Sequence, residues 1–301
     1  MKGSHFYYSE RYTLPLPPDH RFPIQKYEMI RDRLLAEKIL NTEQIRESPL
    51  ASKDELMLAH DLEYILGIEC GVLPRESFVR IGFPWSEALW LRSCATVGGL
   101  LAATQEALKT GVSGNLAGGT HHAHRDRGEG YCVFNDIAVC ARYLKKHGLA
   151  KRIAIIDLDV HQGNGNSSIL GQDEGVFIFS IHGEKNYPFK KIPSHLDIAL
   201  PDQADDLLFH SALDQGMPHV EAFNPDFIFY QMGVDGLKED KLGRMALTHQ
   251  GLMERDRKVF NFAFRNQIPV VLSLGGGYAD PIESSVEAYV NTYRTLKEIY
   301  Q

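Results

Sequence analysis

A chain of 301 residues with 44% hydrophobic and 24% charged residues has the make-up of an ordinary soluble globular protein and is long enough to bury a sizeable core. Its net charge of -7 argues against direct nucleic-acid binding, and no apolar run approaches the roughly 20 residues that a membrane span needs. The four cysteines, Cys70, Cys94, Cys132 and Cys140, form no C-x-x-C pair and lie in or beside apolar runs, which fits buried free thiols in the reducing cytoplasm, with nuclear entry left open.

Phe6 to Tyr8 reads as a short first strand, and the loop from Leu14 to Pro23 is too rich in proline to be regular. Gln25 to Leu40 carries a helical stripe at Met29, Ile30, Leu34, Leu35 and Ile39, and Asp54 to Leu66 repeats the pattern after a Ser52 cap. Asn41 to Pro49 reads as a connection between them. Gly82 to Ser86 is a turn from which Ser86 caps a helix running to Leu108, and Gly98-Gly99 inside that helix predicts close packing against a neighbour. Trp85 is either a packing residue under a loop or part of a pocket rim.

Gly114 to Ala117 reads as a strand leading into a glycine-flanked loop, after which Asn135 or Asp136 caps a helix through His147. Ile153 begins an uninterrupted apolar strand; Val176 to His182, Asp226 to Asp235 and Pro269 to Leu274 are further buried strands. Helices at about Asp205 to Gln215, Gln250 to Asn266 and Ile282 to Ile299 alternate with them. This alternation predicts an α/β fold: one three-layer domain over residues 1–301, its mostly parallel sheet covered by helices on both faces. His5, His20 and Lys190-Lys191 read as solvated loop residues.

Polar residues gather where these strands end, the place at which an open α/β sheet binds its ligand. In I-I-D-L-D-V-H, Asp157, Asp159 and His161 alternate, so an extended backbone aims all three the same way. With Asp235 from M-G-V-D, Asp159 and His161 make a mixed oxygen and nitrogen set that leaves positions open, as a catalytic zinc requires. Adjacent imidazoles at His121-His122 suit a base beside a metal site, with Asp157 and Asn164 as candidates to orient the rings. Tyr278, after Gly275-Gly276-Gly277, places a phenol on a turn free of side chains, able to approach a polarised carbonyl. No P-loop lysine or G-x-G-x-x-G accompanies these glycines.

The motifs T-H-H-A-H-R-D-R-G-E-G-Y-C-V-F-N-D, I-I-D-L-D-V-H-Q-G-N-G, M-G-V-D-G-L-K-E-D-K-L-G and L-S-L-G-G-G-Y, in this order, resemble the zinc-dependent histone deacetylase family and its arginase/deacetylase-like fold, over about Phe6 to Leu296. L-P-P-D-H-R-F-P, I-G-F-P-W-S, R-D-R-G-E-G-Y and D-K-L-G are similar to the class IV branch and its bacterial relatives. The resemblance implies one Zn²⁺ on Asp159, His161 and Asp235, tandem catalytic histidines His121 and His122, and Tyr278 polarising the acyl carbonyl. It further implies a substrate channel of Gly130, whose carbonyl would meet the substrate amide, Tyr131 on one wall, Tyr187 or Phe189 on the other, and Leu242 and Gly276. The family's structural K⁺ site would fall on Asp157, Asp159, His161 and Ser180.

Two departures stand out against that pattern. Asn164 replaces an aspartate behind the second histidine, and Pro84 replaces an aspartate that grips the substrate backbone. Leu242 stands where polyamine deacetylases of the family carry an acidic gatekeeper, which ranks acetylpolyamine lower. The implied activity is hydrolytic removal of acetyl or longer acyl groups from acyl-lysine in a protein or peptide, or from a small acylated amine. The competing readings are an acetylpolyamine-type amidase, a dinuclear manganese hydrolase, which lacks extra aspartates beside Asp159 and Asp235, and a non-catalytic acyl-lysine scaffold. Oligomeric state is left open.

Overall fold

Strands β1 (Phe6–Tyr8), β2 (Ile45–Glu47), β3 (Val112–Asn115), β4 (Ile153–Asp157), β5 (Val176–Gly183), β6 (Leu196–Leu200), β7 (Phe227–Gln231) and β8 (Val270–Ser273) form one sheet in the order β2-β1-β3-β8-β7-β4-β5-β6. Every adjacent pair is parallel. The computed structural model describes residues 3–17 and 20–301, so Pro18 and Asp19 of the proline-rich loop lie outside the described residues. Strands β3, β4, β7 and β8 are buried at every position, which is why β4, β7 and β8 read as apolar runs and not as alternations, while β3 buries Ser113 and Asn115.

The helices are α1 (Lys26–Ala36), α2 (Lys53–Leu56), α3 (Leu62–Cys70), α4 (Arg75–Ile81), α5 (Glu87–Thr110), α6 (Asp136–Lys146), α7 (Asn164–Leu170), α8 (Asp206–Phe223), α9 (His249–Arg265) and α10 (Ile282–Ile299). One group is built on α5 and α6; α1, α10, α9 and α8 touch in succession to form another. The single α/β domain of parallel strands flanked by helices is the predicted fold class. Ser86 caps α5 by accepting from Leu89 N–H, and Asn135 caps α6 by accepting from Ala138 N–H. Gly98 lies against the Pro49 carbonyl, where a Cβ has no room, so the expected close approach is to the chain leaving β2.

Several boundaries differ from expectation. Asp54 to Leu66 is not one helix: the Ser52 capping box starts α2, but the chain turns at Met57 to His60 and α3 begins only at Leu62. The Asp61 N–H is bonded to the Arg125 carbonyl, a tertiary contact that takes the backbone out of the helix. Strand β7 stops at Gln231, four residues before Asp235, and β4 stops at Asp157, so Asp159 and His161 lie in a turn beyond it. Edge strands β2 and β6 were not predicted; their exposed, mixed sequences carry no apolar run. Helix α8 continues past Gln215 to Phe223, with Gly216 lying against the Phe179 ring.

Three sets of presumed surface residues are engaged. His5 pairs with Glu106, His20 Nε2 donates to the Gly82 carbonyl at 2.9 Å while stacking on Phe83, and Lys191 donates to the carbonyls of Glu184, Asn186 and Pro188. Trp85 covers Gly71 and donates to the Ile68 carbonyl, a packing role. All four cysteines are free, and Cys70 is exposed, contrary to expectation. Among the described residues no helix is long and apolar enough to cross a membrane.

Candidate metal centre and active site

Four loops leaving the carboxyl ends of β3, β4, β7 and β8 converge. The loop after β3 is anchored by the buried Asp136 at the start of α6, whose carboxylate accepts from Gly119 N–H, Thr120 N–H and Thr120 Oγ1. Gln231 at the end of β7 donates to the Gly119 carbonyl, and Asn166 N–H donates to the His121 carbonyl. His121 and His122 are thereby fixed from three elements.

The Asp159, His161 and Asp235 donor atoms lie within 4.8 Å of one another, and all three residues are buried. His161 Nδ1 sits 3.1 Å from Asp159 Oδ1 and 2.9 Å from Asp235 Oδ2. The far oxygen of each acid is held by backbone: Gly276 N–H donates to Asp159 Oδ2 at 2.7 Å, and Val160 N–H to Asp235 Oδ1 at 3.0 Å. Any Cβ on Gly276 would strike the Asp235 carboxylate, so glycine is required there. Burial and the charge of Asp159 push the Asp235 carboxyl up to about 7, a repulsion that a divalent cation would remove. One nitrogen and two oxygen donors, buried and pre-oriented, fit a zinc ion with open coordination positions.

Beside this group His121 and His122 stand with ring centroids 4.1 Å apart, and their backing differs. His121 Nδ1 donates to Asp157 Oδ2 at 2.9 Å; His122 Nδ1 faces Asn164 Oδ1 at 2.8 Å. Burial opposes charge on His121, but Asp157 and Asp159 outweigh it and push the ring up to about 9. Burial and the neighbouring His121 and His161 hold His122 well below its ordinary value. Tyr278 borders the same cleft; burial, with Asp235 and Asp159 nearby, raises its phenol well above the usual range and keeps it a hydrogen-bond donor.

The histone deacetylase domain matches residues 20–293 of this chain. The chain belongs to the histone deacetylase family. It is 38% identical over 298 residues to an uncharacterized protein of Picosynechococcus sp., covering 97% of this chain and 98% of that one. It is 30% identical over 291 residues to histone deacetylase 2 of Arabidopsis thaliana, covering 92% and 73%. The crystal structure of an HDAC homolog from Aquifex aeolicus superposes with a TM-score of 0.84 at 28% identity, covering 98% of this chain and 84% of that one. The family makes this chain a deacetylase-type hydrolase.

In this histone deacetylase fold the cleft above the metal group encloses about 430 Å³, within the range of small-ligand sites. Gly130, Tyr131, Tyr187, Leu242 and Tyr278 border it. Gly130 and Tyr131 both have positive φ, 57° and 64°, and Glu129 and Cys132 bond across them, the signature of a type I′ turn. Tyr187 meets His122 edge-on at 4.9 Å, whereas Phe189 is 91% exposed and does not border the cleft. Of the two candidates, Tyr187 is the one that borders the cleft. Gly276 lies deeper, against the acids. Asp157 and Ser180 are register partners on β4 and β5, where Asp157 is turned to His121 and Ser180 to His182.

Sequence reading missed three contributors. Lys26 is fully buried under the Tyr278 turn, donating to the carbonyls of Gly275 and Gly277; burial lowers its ammonium to about 8. Asp240 accepts from three backbone N–H groups, and Glu129 reaches Asn164. Only Asp240 and Glu129 stood within quoted motifs; Lys26 carried no signal beyond a polar position on a helix.

Proposed function

We propose that this chain is a zinc-dependent deacylase that removes acetyl or longer acyl groups from the side-chain amine of acyl-lysine. The observation that carries the reading is the placement of Asp159, His161 and Asp235 beside the unequally backed pair His121 and His122, at the base of a tyrosine-walled cleft. A zinc ion held by Asp159, His161 and Asp235 supplies Lewis-acid polarisation of the acyl carbonyl and acidifies water.

The chain's own groups then divide the proton work. Asn164 lends no charge to an imidazolium, so His122 is the neutral base that accepts the proton of the attacking water. Asp157 stabilises His121 in its protonated form, making it the acid that protonates the departing amine. The Tyr278 phenol donates to the oxygen on which negative charge develops. Tyr131 and Tyr187 enclose the aliphatic stem of lysine, and the Gly130 carbonyl accepts the substrate amide N–H. The products are a carboxylate and a free amine. Leu242 at the cleft leaves no acid to receive a second ammonium, which favours acyl-lysine over acetylpolyamine.

The test is hydrolysis of paired acetyl-lysine and myristoyl-lysine peptides by zinc-loaded protein, with Asp159→Ala as control. Cleavage of either, lost in Asp159→Ala, supports the reading, and the preferred chain measures the channel. Zinc binding without cleavage of either sinks it.

A further inference from the structure

Whether His122 can act as a base depends on which of its nitrogens carries the hydrogen, and Asn164 alone does not decide this. An amide offers an oxygen that accepts or an NH₂ that donates, and the two ends are nearly the same size. If the oxygen faces His122 Nδ1 at 2.8 Å, Nδ1 bears the hydrogen and Nε2 is bare toward the metal group; if the NH₂ faces it, Nε2 is protonated and accepts nothing. An aspartate in place of Asn164, which only accepts, would leave no such choice.

The choice is made on the other side of the amide. Glu129 Oε1 lies 2.7 Å from Asn164 Nδ2. A carboxylate has no donor, so a reversed amide would set two acceptors face to face at a site where the Glu129 side chain is only 12% exposed. Glu129 is itself fixed. Its backbone N–H and C=O both pair with Cys132 across the Gly130-Tyr131 turn, and its carboxylate is ringed by His124 Nε2 at 3.5 Å, Arg127 Nε at 3.8 Å and the Tyr187 hydroxyl. Although burial opposes the charge, hydrogen bonds from His124, Asn164 and Tyr187 hold the carboxyl down at about 2.

We propose that Glu129 is a positioning residue of this site: through Asn164 it fixes His122 as the Nδ1–H tautomer, with Nε2 free to accept a proton. His121 receives its carboxylate directly from Asp157; His122 receives one a residue further out, so its tautomer is set without a full negative charge in contact with the ring. The catalytic consequence rests on the deacylase reading, whereas the tautomer does not.

The experiment uses the full chain loaded with zinc. Imidazole nitrogen NMR, at a pH where His122 is neutral, is expected to show the Nδ1–H form in the wild type and a mixture of both tautomers in Glu129→Gln, whose side chain can accept or donate. In acyl-lysine peptide turnover, Glu129→Gln should lower kcat about tenfold, part of what a general base contributes, and change KM by less than about twofold. In an Asn164→Asp background, where two carboxylates would face each other, Glu129→Gln should raise kcat instead. An Nε2–H His122 in the wild type, an unchanged tautomer in Glu129→Gln, or the same loss of kcat in both backgrounds would overturn the proposal. If the wild type cleaves no peptide, the deacylase reading fails by itself and the NMR result still decides the role of Glu129, even should Glu129→Gln not fold, because the wild-type tautomer alone can contradict it.

Discussion

Asp240 Oδ2 accepts the backbone N–H of Tyr278 at 2.6 Å, tying the loop that follows Asp235 to the glycine turn that carries the phenol. Its other oxygen accepts from Leu242 and Gly243 N–H, both at 2.8 Å. Asp240→Ala leaves these donors without their acceptor in a largely closed site, at a cost of about 2–4 kcal/mol. We expect a lower melting temperature and a fall in kcat larger than any change in KM, since Tyr278 acts on the developing charge. A variant with wild-type kcat would show that the tie does not place the phenol.

The unequal backing of the two histidines predicts a pH response. Replacing Asn164 with aspartate sets a carboxylate against His122 Nδ1, favours the imidazolium and raises the pKa of the ring. A base must be neutral, so activity is lost as pH falls through that higher pKa. The acid limb of kcat/KM is therefore expected to move to higher pH in Asn164→Asp. A profile that coincides with the wild type speaks against His122 as the base.

The two aromatic residues around Pro188 separate cleanly. Tyr187→Ala removes the wall that touches His122 and should raise KM for acyl-lysine peptides several-fold. Phe189→Ala removes a ring that borders no part of the cleft and should leave KM within about twofold, as surface substitutions generally do. Steady-state kinetics on both variants tests this, and a larger KM effect in Phe189→Ala would reverse the assignment.

Asp235 offers a test in the absence of metal. Burial and Asp159 raise its carboxyl from 3.8 to about 7, so the folded state binds this proton more tightly than the unfolded chain does. The resulting stability is present below the unfolded value and is lost as pH rises toward about 7. Metal-free Asp235→Asn should therefore melt above metal-free wild type at pH 8, and close to it at pH 4. It should also lack the rise in melting temperature that zinc gives the wild type. Thermal melts with and without a chelator measure both; equal metal-free melting at pH 8 would remove the argument.

The amino-acid sequence by itself determined the α/β class, the buried strands β3, β4, β5, β7 and β8 to within a few residues, and the loops that bring His121, His122, Asp159, His161, Asp235 and Tyr278 to one end of the sheet. These are legible because hydrophobic period, capping residues and glycine turns are local properties, and because a parallel sheet sends every strand's carboxyl end to the same side. Tertiary structure alone decided that β4 stops at Asp157, and that of the two histidines it is His121 that this acid meets. It also decided that Tyr187 and not Phe189 faces the cleft, and that residues 54–66 break at the contact with Arg125. Short edge strands such as β2 and β6 bury too little to leave a pattern. The reach of Glu129 to Asn164, 35 residues away, is set by how a type I′ turn packs against the start of α7. Periodicity along a chain carries no information about which polar atoms meet across it; that is settled when buried donors and acceptors must find partners in three dimensions.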